Sequence, residues 1–145
     1  MKKFFNTLKE IGLYIWQLPQ NLLGLCFVLF CKDREPVCVE NGNLVYVSKR
    51  MNGGISLGKY SIISSLFFNS RTTKEQFHSS DVVRHEAFGH GTQSRILGPF
   101  YLIVIGLPSI IWAGLYGTVI PYTKNGYYKC YTERWADKLG GVIRK

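Results

Sequence analysis

The sequence is short of charged residues, and above all of acidic ones. Charged residues make up 19% of its 145 residues, below the roughly 25% usual in soluble proteins, and nine Asp and Glu face 18 Lys and Arg. With 46% hydrophobic residues, this composition excludes a disordered tail, a collagen-like chain and a coiled coil. The length fits a single domain over residues 1–145. The net charge of +9 beside very apolar stretches favours membrane lipid as a partner.

Cysteine is scarce and irregularly spaced. No two of the four cysteines form a C-x-x-C pair; they are Cys26, Cys31, Cys38 and Cys130. This spacing argues against a disulfide framework and indicates a reducing compartment. No RNA-binding signature or helix-turn-helix pattern accompanies the basic residues, so no nucleic-acid partner is expected.

Residues 1–31 begin with two lysines and continue as an apolar stretch that polar residues interrupt. The interruptions are Gln17, Pro19, Gln20 and Asn21, and no A-x-A-like cleavage site follows them. The uninterrupted part, residues 22–31, is shorter than the ~20 residues of a spanning helix. We therefore expect an N-terminal amphipathic anchor in the membrane interface; a helix of the protein core is the alternative.

Residues 37–70 have the turn and strand signals of a small antiparallel sheet. Asn41-Gly42-Asn43 lies between two apolar segments and is typical of a hairpin turn. A second turn at residues 51–54 leads into ISLGKYSIIS, which is rich in β-branched residues. About three strands are expected.

Residues 96–121 form a run of 26 residues without a charge. The run exceeds the length of a membrane span, but Pro99, Pro108 and Pro121 interrupt it. One kinked span and a re-entrant hairpin that turns at residues 106–109 fit about equally well. Because basic residues outnumber acidic ones on both sides, the positive-inside rule favours the re-entrant or monotopic form.

The residues with the clearest chemistry lie in a predicted helix over residues 79–95, where His85, Glu86 and His90 form H-E-x-x-x-H. In the usual zinc motif H-E-x-x-H, two histidines one turn apart bind the metal and the glutamate acts as general base. Five residues of regular α-helix place two side chains about 140° apart, against about 40° for four residues. A shared metal therefore requires a π-bulge, which Gly89 would permit because it lacks a Cβ.

A second predicted helix over residues 127–140 supplies Glu133 and Asp137, one turn apart. A carboxylate from a second helix is a common third zinc ligand, and a nearby aspartate can orient a histidine. A solvated helix face is the alternative for this pair. Gln93, three residues after His90, either faces the site and supports it or anchors the end of the helix.

These segments carry a resemblance. A strand, a His-Glu helix and an E-x-x-x-D helix resemble the glutamate-zincin metallopeptidases, reduced to a minimal core. HEAFGHGTQSR, LGPFYLIVIGLPS and YTERWADKLGG are similar to segments of a group of small bacterial membrane-associated proteins. The resemblance covers nearly all of residues 45–145 and the N-terminal YIWQLPQNLLGL.

The resemblance implies an α+β fold, with an apolar kinked or re-entrant helical segment added to a zincin-like core. It implies zinc bound by His85, His90 and Glu133, general base Glu86 and a supporting Asp137. ISLGKYSIIS matches the strand that borders the cleft and pairs with extended substrate.

Two functions fit this sequence. The first is a zinc-dependent hydrolase, a metallopeptidase acting on a peptide or protein, at the bacterial cytoplasmic membrane with its polar parts on the cytoplasmic side. The second is a non-catalytic integral or monotopic membrane protein whose His/Glu cluster is a structural or degenerate metal site.

Overall fold

The computed structural model describes residues 2–116, 118–119 and 124–144, without the side chains of residues 2, 124 and 125. It combines helices with a four-stranded sheet, which confirms the α+β class. Residues 117, 120 and 121 of the predicted membrane segment lie outside the described residues.

The N-terminal stretch forms two helices, α1 (Lys2–Trp16) and α2 (Leu18–Phe30), bent by 84°. Pro19 stands in the first turn of α2, where its missing N–H breaks no helical hydrogen bond. The polar residues that interrupt the apolar sequence are buried: Gln17, Gln20 and Asn21 are at most 1% exposed. Gln20 donates to Gly98 O at 2.8 Å, so these amides fix the two helices to the rest of the chain.

Four strands form the sheet: β1 (Glu35–Glu40), β2 (Asn43–Ser48), β3 (Gly54–Leu57) and β4 (Tyr60–Ser64). The predicted hairpin is confirmed, since β1 and β2 pair antiparallel around Asn41 and Gly42. Both turn residues have positive φ, 48° and 72°, as a two-residue hairpin turn requires.

The expectation of about three strands in an antiparallel sheet is wrong. The strand order is β1-β2-β4-β3, and β4 runs parallel to β2. ISLGKYSIIS forms two strands because the chain turns at Gly58, whose φ is +61°. Asn21 of α2 holds this turn by accepting from Lys59 N at 2.8 Å. After this turn, β4 pairs with β2 on one side and with β3 on the other. Strand β3 therefore lies at the edge of the sheet.

The motif helix, α4, follows the short helix α3 (Lys74–Ser79). The Ser80 hydroxyl accepts from Val83 N and caps the new helix. Helix α4 is α-helical over Asp81–Val83, π-helical over Arg84–His90 and α-helical again over Gly91–Leu97. It crosses one face of the sheet, where buried side chains pack together: Val45, Ile63, Phe77, Val83 and Ala87.

The predicted hairpin turn at residues 106–109 is also wrong. Helix α5 runs through these residues, π-helical over Leu102–Gly106 and α-helical over Leu107–Leu115. The chain bends before it, by 119° between Asp81–Phe100 and Leu102–Leu115. Gly98 ends α4 with a φ of +53°, and Pro99 cannot continue the helical hydrogen bonding.

Two helices follow, α6 (Lys124–Tyr127) and α7 (Tyr131–Gly140), so the predicted helix over residues 127–140 begins four residues later. Helix α7 packs directly against the π-helical part of α4. Glycine makes this approach close: a Cβ on Gly89 would stand 2.4 Å from Ala136 O, and one on Gly140 would stand 2.4 Å from Arg84 O.

Within the described residues, no single helix combines the length and apolarity that a bilayer span needs. Two pairs of consecutive helices, α1 with α2 and α4 with α5, reach this length and apolarity only when both helices of the pair are counted. Each pair is sharply bent between its two helices. Helices α1 and α5 nevertheless expose large apolar side chains: Phe4, Phe5, Leu8, Ile11 and Ile15 on α1, and Ile103, Leu107, Ile110, Ile111 and Leu115 on α5.

Gly89→Ala should lower the free energy of unfolding by about 1–3 kcal/mol, because the new methyl group meets the backbone of α7. Gly12→Ala in α1 is the matched control, since a Cβ there meets nothing within 4 Å. Denaturant unfolding of both variants in the same detergent checks this. Equal stability of the two variants would contradict the close packing of α4 on α7.

Candidate metal centre

The π turn brings the two histidines of α4 together. Gly91 N donates to Glu86 O, a hydrogen bond across five residues, so side chains five apart lie one turn apart. The imidazole rings of His85 and His90 lie 4.8 Å apart between centroids and are nearly perpendicular. The bulge that a shared site requires is therefore present. Because Gly89 has no Cβ, it permits the close approach of α7 as well as the π turn.

Helix α7 places Glu133 between the two rings. Its Oε2 lies 3.1 Å from His85 Nε2 and 3.7 Å from His90 Nε2. At metal–ligand distances of about 2.0–2.2 Å, neighbouring ligands of a tetrahedral zinc ion lie roughly 3.4 Å apart. The three side chains are at most 7% exposed, and their ligand atoms lie within 4.8 Å of one another. His85, His90 and Glu133 can hold a metal ion.

The remaining ring nitrogens are held by other side chains. His85 Nδ1 lies 2.7 Å from Asp137 Oδ1, and His90 Nδ1 lies 2.7 Å from Gln93 Oε1. Gln93 uses its amide nitrogen to donate to Thr132 O, so its oxygen faces the ring and accepts. Each Nδ1 is thus a donor, which leaves the lone pair of each neutral imidazole on the Nε2 that faces Glu133. Asp137 and Gln93 thus each contact one ring nitrogen of the histidine pair.

The charges of the cluster are strongly coupled. Burial lowers the pKa of His85, but hydrogen bonds to Asp137 and Glu133 outweigh it and raise that pKa to about 9, so a metal ion that binds Nε2 displaces a proton from it. Burial raises the pKa of Glu133, yet its contacts with both histidines hold that pKa far below the usual range. Arg144 donates to both oxygens of Asp137 and keeps it ionised beside His85. The carboxylates are therefore in the anionic form that binds a cation.

The second oxygen of Glu133 is fixed by hydroxyl groups. Oε1 accepts from Ser109 Oγ at 3.0 Å and from Thr132 Oγ1 at 3.2 Å. Ser109 belongs to the apolar helix α5, which thereby contacts a candidate metal ligand. Glu133 consequently presents one oxygen, Oε2, to the two histidines.

Glu86 stands beside the cluster at the edge of the sheet. Its Oε2 accepts from Ser56 Oγ at 2.8 Å, and its Oε1 lies against Gly54, where a Cβ would approach to 2.2 Å. Both contacts belong to β3. Glu86 is 6% exposed and is held at this position by the edge strand.

A cavity of about 430 Å³ opens onto these groups. His85, Glu86, His90 and Glu133 form its polar side. Much of the rest is apolar or aromatic, from β3, α5 and the segment before α7, and includes Ile55, Leu57, Tyr101, Ile110, Ala113, Tyr127 and Tyr128. The cluster is therefore buried but accessible from one side.

Several side chains around the site were not expected from the sequence, among them Ser56, Ser109, Tyr128 and Arg144. Tyr128 stacks edge-on against His85 and lies under the Arg144 guanidinium, 3.6 Å from its ring centroid. Ser109 lies in the GLPS segment of the resemblance, which could have drawn attention to it. The other three had no local signal, because folding alone brings them to the site.

Scans against protein-family models, curated proteins and solved structures each return no match to this chain.

Asp137→Asn should weaken metal binding by about 10–100-fold, because the amide no longer supplies a charge to His85 Nδ1. Asp81→Asn is the matched control, since Asp81 is exposed at the start of α4. Competition titrations with a metal-chelating dye would give both affinities. Equal affinities would show that Asp137 does not support the site.

Ser109→Ala should weaken metal binding by about 2–10-fold, as loss of one hydrogen bond of about 0.5–1.5 kcal/mol frees Glu133. Ser65→Ala, in a turn away from the cluster, is the control. Competition titrations with the same metal-chelating dye measure the metal affinity of both variants. An unchanged affinity would mean that α5 does not position Glu133.

Proposed function

We propose that the protein is a membrane-associated zinc-dependent hydrolase that cleaves peptide bonds, in the manner of the glutamate-zincins. One observation carries the proposal: Glu86 lies in the same open cavity as His85, His90 and Glu133. Structural zinc sites are closed by four protein ligands, whereas catalytic sites have three and an open position. The three ligands and the cavity beside them favour catalysis over a structural site.

The donor set suits zinc. Two imidazole nitrogens and one carboxylate oxygen are the ligands of many hydrolytic zinc sites. When bound, zinc acts as a Lewis acid and lowers the pKa of a coordinated water to about 7. The Nδ1 contacts to Asp137 and Gln93 hold the rings in the orientation that binding needs.

Glu86 is the general base of the proposed reaction. It accepts a proton as water attacks the substrate carbonyl, and it passes that proton to the departing amine. Ser56 donates to one oxygen of Glu86 and so fixes the carboxylate toward the cavity. Glu86 and the three candidate ligands are each at most 7% exposed, so water competes little with these hydrogen bonds.

The edge strand β3 supports an extended peptide as substrate. Ser64 N donates to Gly53 O, and this register directs the backbone groups of Gly54 and Ser56 away from β4. The Ser56 carbonyl already accepts from the Tyr101 hydroxyl at 2.9 Å, so Gly54 offers the backbone groups for pairing. Gly54 adjoins Glu86, so a peptide paired with this edge would lie beside the base. The apolar cavity lining favours substrates with apolar side chains near the cleaved bond.

The apolar helix α5 supports a site close to a membrane. Ile110 lines the cavity and is 60% exposed, and its neighbours Leu107 and Ile111 are more than half exposed. Exposed apolar area of this kind marks a lipid or protein contact, and the net charge of +9 suits an anionic lipid surface. We place the protein at the bacterial cytoplasmic membrane, with its polar parts on the cytoplasmic side.

Glu86→Gln should retain the metal and lose peptide hydrolysis by about 10²–10⁴-fold, because the amide accepts no proton. His90→Ala should lose both. Elemental analysis, together with cleavage of a fluorogenic peptide library in lipid nanodiscs, measures both properties. Glu75→Gln, an exposed change on α3, is the control and should keep both.

Hydrolysis by Glu86→Gln at the wild-type rate would remove Glu86 from catalysis. Metal binding without hydrolysis in the wild type would instead favour the second function, a non-catalytic membrane protein with a structural metal.

A further inference from the structure

A second group of metal-ligating side chains lies on the opposite edge strand, β1. Cys38 and Glu40 are two residues apart on this strand, so their side chains share one face of the sheet. His78, on α3, faces them from the side. The Cys38 Sγ, a Glu40 carboxylate oxygen and a His78 ring nitrogen all lie within 4.8 Å of one another.

The cluster has the chemistry of a cation site. His78 Nδ1 contacts Glu40 Oε1 directly, and an exposed ion pair accounts for these two residues alone. Cys38 adds a thiol to this pair, and its sulfur lies within 4.8 Å of a ligand atom of each partner. Thiolate, imidazole and carboxylate together are the usual ligands of zinc and of related thiophilic divalent ions.

The Cys38 side of this cluster is more buried than the His78 side. Cys38 packs against the core side chains around Phe77 and Val83, whereas the His78 side chain is 42% exposed. A bound ion would be partly shielded on the sulfur side and open to water on the histidine side. Three protein ligands and one water complete a tetrahedral coordination.

The position of the cluster gives such an ion a structural role. His78 lies two residues before Ser80, which caps α4. Glu40 directly precedes Asn41, whose side-chain amide donates to Thr92 Oγ1 and to Ala87 O in the π turn. An ion held here joins the hairpin, α3 and the beginning of α4.

We propose that Cys38, Glu40 and His78 form a second cation site, for a zinc-like thiophilic divalent ion, that holds the sheet edge against the motif helix. The site is independent of His85, His90 and Glu133 and of any hydrolysis.

Cobalt(II) distinguishes the two sites, because only the second contains a sulfur ligand. The full chain in detergent, reduced with a phosphine, is titrated with cobalt(II) alone and followed by thiolate-to-cobalt charge-transfer absorption. We expect this absorption in the wild type and in His85→Ala/His90→Ala. It should saturate at about one equivalent in the double variant and by about two in the wild type, where the first cluster also takes up cobalt. Cys38→Ser should lose it, and His78→Gln should need at least tenfold more cobalt. Cys31→Ser, at another cysteine that is not fully buried, should retain it.

Circular dichroism of each variant confirms its fold, and the exposed His78→Gln change keeps the test valid should Cys38→Ser unfold. The proposal is overturned if the wild type shows no charge-transfer absorption. It is overturned equally if the absorption survives in Cys38→Ser, disappears in Cys31→Ser, or is unaffected by His78→Gln.

Discussion

The candidate metal centre depends on a single backbone feature, the π turn over Arg84–His90. Five residues separate the two histidines, and an unbroken α-helix would turn their side chains to different faces. The wider turn brings them to one face at the cost of weaker local hydrogen bonding, so neighbouring elements must hold it in place. Helix α7 does so at Gly89 and Gly140, where backbone meets backbone without a side chain between them.

The same helix that supports the turn also supplies Glu133 and Asp137. Glu133 and Asp137 are therefore positioned by the same packing of α7 that stabilises the π turn. Ser109 adds a connection from the apolar helix α5, and Trp112 of α5 donates to Tyr127 O close to α7. A change in the surroundings of α5 would reach Glu133 directly through the Ser109 hydrogen bond.

Local signals allowed much of this arrangement to be predicted from the sequence. A metal shared by His85 and His90 required the π turn, and Asn41-Gly42 marked the hairpin. Long-range contacts did not leave such signals. The parallel pairing of β4 depends on Asn21 holding the turn at Gly58, 37 residues further along the chain.

The bend before α5 shows a different limit. Both Gly98-Pro99 and Gly106-Leu107-Pro108 are able to break a helix, and only packing decides between them. At Gly98 the Trp16 ring fills the space where a Cβ would stand, which stabilises the break there. Arg144 likewise joins the site through Asp137 and Tyr128, two residues that no pattern in the sequence connects with it.

We propose that His85 and His90 bind one ion through the π turn. X-ray absorption at the zinc edge tests it most directly, on zinc-loaded Cys38→Ser protein so that no thiolate site contributes. We predict two imidazole ligands and otherwise oxygen, at about 2.0–2.2 Å, with no sulfur. Fewer than two imidazoles, or a protein that binds no zinc, would show that the two histidines do not share an ion.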